Sequence, residues 1–96
     1  MTIVHKHLKI LGKVQGVGFR HNAFILAQKL GVTGWVKNTA EGAVEVVVEG
    51  NSSSVNLFVE WCHEGPMHSA VTSVTVLESR DQDIADFSVF TIKKTT

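Results

Sequence analysis

The sequence holds one cysteine and one proline, and no tyrosine at all. The single thiol, Cys62, excludes a disulfide within the chain and suits a reducing compartment, so a cytoplasmic location is expected. No sign of charge dominates, since nine lysines and arginines balance nine aspartates and glutamates. A large polyanion such as DNA is therefore a poor candidate partner, because proteins that neutralise one carry a basic excess. Long hydrophobic runs are missing as well. No stretch approaches the ~20 apolar residues of a membrane helix, and the N-terminal residues lack an apolar run of signal-peptide length. Repeats, low-complexity tracts and linker-like segments are also absent. What is there is a hydrophobic fraction of 44% in 96 residues. That supports one domain over residues 1–96, able to bury a little over about 60% of its unfolded surface without staples. A monomer is the default expectation.

Apolar spacing gives the elements. Residues 3–11 alternate as a strand with Leu8 and Ile10 on one face. Residues 20–30 follow the helical period, with Phe19, Ala23, Leu26, Ala27 and Leu30 on one stripe and Gly31 placed for a left-handed cap. A short strand is expected over 33–38, a hairpin turn over 39–42 and a strong strand over 43–49. In the last, Val44, Val46 and Val48 face the core while Glu45 and Glu49 face water. Asn51 and the serines after it cap a second helix, which runs to about His63 with Leu57, Phe58, Trp61 and Cys62 as its apolar side. Gly65-Pro66 stops it. Cys62 on that stripe reads as a buried structural thiol rather than a nucleophile. A strand over 70–78, a charged loop from Arg80 to Asp86 and a strand over 87–93 complete the chain. The order β-α-β-β-α-β-β implies a ferredoxin-like α/β sandwich, with two helices on one face of a mostly antiparallel five-stranded sheet.

The run from Gly12 to Arg20, Gly-Lys-Val-Gln-Gly-Val-Gly-Phe-Arg, carries the chemistry. Three glycines fall between a strand and a helix. Such a junction turns successive backbone N–H groups toward one point and cradles a phosphate or another oxyanion. Arg20 adds a planar, permanently charged fork that matches phosphate oxygens. The run is neither a Walker loop nor a dinucleotide fingerprint, because both spacings differ. Glycines alone would also make a plain sharp turn. The crossover adds a second residue. The first two strands run parallel with the helix between them, so the end of the second returns to the edge that carries the loop. Asn38 sits there, eighteen positions after Arg20. Its carboxamide can hold a water in line with a bound phosphorus, although Asn is also a common turn former.

The residue 12–20 string resembles the signature of the acylphosphatase family, G-x-V-Q-G-V-x-F-R. The resemblance extends to Gly34-Trp35-Val36-Lys37-Asn38 with Glu41-Gly42, the valine-rich strand to Glu49-Gly50, Gly65-Pro66 and the Phe-rich last strand. It implies hydrolysis of the carboxyl-phosphate bond of acyl phosphates. The loop backbone of Gln15, Gly16, Val17, Gly18, Phe19 and Arg20 and the Arg20 side chain would bind the phosphate, with Asn38 positioning the attacking water. It implies no cofactor, no metal, a small-molecule acyl phosphate as substrate, and inorganic phosphate or another oxyanion as occupant of the site. Three positions depart from the common pattern: Lys13 for Arg, Gly18 for an aromatic and His21 for Tyr.

The residues fit that modest chemistry. A carboxylate leaves without a strong general acid, so the protein has mainly to neutralise phosphoryl oxygens and place a water. The substrate phosphate is the expected proton acceptor. His21 is the alternative base, but one residue after Arg20 on a helix it points about 100° away and reads as a surface residue. His5 and His7 share a strand face, where a weak metal pair competes with an incidental one. Trp35 and Trp61 read as core or rim aromatics. Two other functions remain open. One is a non-catalytic anion-sensing module on the same fold, which would need the loop and Arg20 but not Asn38. The weaker is a nucleic-acid-binding sheet.

Overall fold

A computed structural model of the chain describes residues 2–95. The elements are β1 (Ile3–Lys13), α1 (Phe19–Leu30), β2 (Thr33–Asn38), β3 (Val44–Gly50), α2 (Ser52–Glu64), β4 (Ala70–Gln82) and β5 (Phe90–Ile92). The sheet order is β4-β1-β3-β2-β5. Only the β2–β5 pairing is parallel. Because β3 lies antiparallel between β1 and β2, those two strands point the same way, and the loop after β1 and the end of β2 share one edge. This is the ferredoxin-like sandwich that the element order implies.

The core follows from alternation. Leu8, Ile10, Val36, Val44, Val46, Val48 and Phe90 project from one face of the sheet. They meet Phe19, Ala23 and Ala27 of α1 and Val55, Phe58 and Cys62 of α2. Phe58 packs against Phe90 with ring centroids 5.7 Å apart, and Phe19 against Trp61 at 4.9 Å. The helix ends are closed locally. Gly31 is left-handed at φ 71° and donates its N–H to Ala27, while the Asn51 side chain accepts from the Ser54 amide at 2.8 Å. Gly34 is required by crowding, because a Cβ there would lie 1.9 Å from the Val47 carbonyl oxygen. Cys62 is buried, and burial pushes its thiol above the ordinary range.

Several expectations change. Glu49 does not face water: it projects from the open face of the sheet yet is fully buried. The segment between β4 and β5 folds over it, and its carboxylate accepts from the Asp86 amide at 2.7 Å, the Phe87 amide at 3.2 Å and Gln82 Nε2 at 2.8 Å. His5 Nδ1 lies 2.6 Å from Oε2, the oxygen that Gln82 also contacts. Leu57 is exposed, and Val55 takes the buried place on α2. Arg80 belongs to β4, which runs on to Gln82 through register shifts against β1, so the charged loop is shorter than expected. The last strand is confined to Phe90–Ile92. Trp35 is a half-buried rim residue on the open face, with Lys93 Nζ 4.6 Å from its ring centroid.

Candidate active site

The strand-to-helix junction is built from left-handed glycines. Gly16 has φ 72° and Gly18 φ 80°, and Gly18 is the N-cap of α1. A side chain at position 18 would be strained in that conformation and would meet Asn22 Nδ2 at 3.3 Å. No side chain caps the helix and its first turn carries no acid. Among the described residues, no carbonyl accepts from the backbone amides of residues 16–21. These donors and the positive end of the helix dipole are thus left for an anion.

The junction forms one wall of a cleft of about 280 Å³. Gly16, Gly18, Arg20 and His21 line it from the loop and α1, Asn38 from the end of β2, Ile92 from β5, and the buried Val14 and Phe19 complete the lining. Arg20 and Asn38, eighteen residues apart in sequence, therefore meet at one site. Asn38 is 8% exposed as a residue and lines the cleft. Arg20 is half-buried and makes no ion pair among the described residues, which leaves its guanidinium uncommitted. Gln15 does more than continue the loop: its Nε2 donates to the Thr39 and Ala43 carbonyls, each at 2.8 Å.

Three lining residues, Val14, His21 and Ile92, were not among the expected site residues, and the expected Gln15 and Val17 do not line the cleft. His21 is exposed, as its helical position suggests, yet it still borders the cleft beside Arg20. Ile92 arrives because β5 pairs parallel with β2, with Ile92 opposite Val36. Its only signal in the sequence is the alternation of the Phe-rich last strand.

The histidines of β1 do not act as a pair. His7 binds Glu45 and His5 binds Glu49, each at 2.6 Å. His5, Glu49 and Asp86 bring three potential metal-ligand atoms within 4.8 Å of one another. The Glu49 carboxylate there is already saturated by two backbone amides, Gln82 and His5, so the group is built as a latch for the β4–β5 segment.

The Acylphosphatase family model matches residues 6–92. The chain belongs to the acylphosphatase family. An acylphosphatase of Thermococcus kodakarensis is 44% identical over 89 residues, covering 93% of this chain and 98% of that one. The solved acylphosphatase of Bacillus subtilis superposes with a TM-score of 0.86 at 33% identity, covering 94% of this chain and 98% of that one. That of Coxiella burnetii gives 0.83 at 37% identity, covering 95% and 93%. As an acylphosphatase-family chain, it carries the glycine junction, Arg20 and Asn38 in a single cleft.

Proposed function

We propose that the protein hydrolyses acyl phosphates to a carboxylate and inorganic phosphate. The observation that carries this reading is the meeting, in one cleft, of Asn38 with loop amides and an arginine that have no partner among the described residues. The amides of residues 16–20 and the Arg20 fork hold the phosphoryl oxygens and neutralise the charge that grows on them. Asn38 accepts a hydrogen bond from a water and sets it in line with the P–O bond to the acyl group. The water oxygen bonds to phosphorus as that P–O bond breaks. The bonding pair leaves with the carboxylate, and the water proton passes to a phosphate oxygen. Because a carboxylate departs unprotonated, no acid is needed on the leaving side.

The occupants that fit this cleft are a small acyl phosphate and, as product, inorganic phosphate. No helix among the described residues is long and apolar enough to cross a membrane. A monomer in the cytoplasm is the reading that the lone buried thiol and the self-contained cleft support.

Phosphate release from acetyl phosphate and from a phosphate monoester, measured with EDTA present, tests the proposal. Turnover of acetyl phosphate with little or none of the monoester is expected. Phosphate binding without turnover of either compound would make the protein an anion-sensing module instead.

A further inference from the structure

Gln15 stands immediately before Gly16, yet its side chain reaches away from the cradle to the neck of the β2–β3 hairpin. Both hydrogens of its amide are spent there, on Thr39 O and Ala43 O at 2.8 Å each. Those carbonyls already have one partner apiece within the hairpin. The Thr39 amide donates to Ala43 O at 2.9 Å and the Gly42 amide to Thr39 O at 3.2 Å. Each carbonyl oxygen has two lone pairs, so Gln15 fills the second on both. The neck is further fixed by the Ala43 amide, which donates to Thr39 Oγ1 at 3.1 Å. Thr39 and Ala43 are both buried, so water is a poor substitute for the amide. Thr39 directly follows Asn38.

From this geometry we infer that Gln15 is a positioning residue: it sets the distance between the phosphate cradle and Asn38, and so the alignment of the attacking water. This rests on the reading of Asn38 under Proposed function. The two halves of the site come from different parts of the chain, one from the loop after β1 and one from the end of β2. Among the described residues, the Gln15 amide is the side-chain hydrogen-bond bridge that joins them directly, and two donors on one nitrogen meet both acceptors. A displacement of about 1 Å in a reacting group costs on the order of a hundredfold in rate, whereas a bound phosphate held by several loop donors is far less sensitive.

The test compares Gln15→Met with the wild type in two backgrounds, native and Asn38→Ala. Acetyl phosphate is the substrate, and inhibition by inorganic phosphate is the measure of the cradle. In the native background Gln15→Met should lower kcat by about 10- to 100-fold while phosphate affinity stays within about threefold. In the Asn38→Ala background the same change should move kcat less than about twofold, since the group it aligns is gone. Equal losses in both backgrounds would overturn the inference, as would a fall in phosphate affinity that parallels the fall in kcat. A lower melting temperature with unchanged kcat would make the bridge structural only. If Gln15→Met does not fold, Gln15→Glu keeps the shape and sets acceptors against the two carbonyls. Its kcat relative to wild type should climb as pH falls, because protonation returns one donor; a flat ratio would overturn the inference. Failure of the underlying reading shows separately, as no turnover by the wild type or no effect of Asn38→Ala alone.

Discussion

At the scale of single residues, the proposed mechanism divides binding from alignment. Arg20 is the arginine that lines the site, and it has no ion-pair partner among the described residues. Arg20→Ala is expected to lower kcat/KM by several hundredfold or more, about 3–4 kcal/mol of transition-state stabilisation, and to weaken phosphate binding in parallel. Arg20→Lys should recover little, because an ammonium cannot replace the fork. Wild-type turnover and affinity in Arg20→Ala would exclude the cleft as the site. Asn38→Ala has a different signature. Phosphate affinity should hold within a few-fold while kcat drops by roughly two orders of magnitude, which steady-state rates and phosphate inhibition on one preparation will resolve. Arg20 and the glycines could be placed from the strand-to-helix junction that the strand and helix periods define, and Asn38 from the crossover that returns the end of β2 to the same edge. Ile92 was not legible as a wall residue. Its neighbour in space, Val36, is set by a parallel pairing with β2 that no local pattern announces.

At the scale of elements, the sheet is asymmetric in what its two faces hide. The helix-covered face could be read from valine alternation in β3. The open face was misread at Glu49, because the same alternation says only which side a residue is on, and not whether a later segment will cover it. Four donors converge on that carboxylate, two of them backbone amides of the β4–β5 segment. Glu49→Ala should therefore destabilise the fold by about 3–5 kcal/mol in urea denaturation, since it strands His5 and both amides. The segment also delivers β5 to the sheet, and with it Ile92 to the cleft. Backbone hydrogen exchange should accelerate first at residues 86–92 in this variant, ahead of β1 and β3. Uniform acceleration across the sheet would show that the latch does not act locally.

For the whole molecule, the buried thiol and the proposed mechanism lead to one joint expectation. Cys62 is buried and its thiol is held protonated, so alkylation of the native protein should be slow and should follow global unfolding. Acetyl phosphate turnover should persist through EDTA treatment and through iodoacetamide exposure under native conditions. Loss of activity with EDTA, restored by a divalent ion, would put a metal in the mechanism. Rapid labelling of Cys62 without unfolding would show that α2 opens independently of the rest.

The row of backbone amides at the start of α1 has a thermodynamic consequence apart from catalysis. A folded chain with unfilled donors is stabilised by whatever fills them, and the unfolded chain offers no such arrangement. On the proposed function, the reaction product would then also be a folding ligand. The melting temperature should climb with phosphate concentration, by the equivalent of about 2.7 kcal/mol at a hundred times Kd. A set of melting curves over a phosphate series then measures occupancy of the cradle without any substrate, and it does so equally well in variants that have lost all turnover.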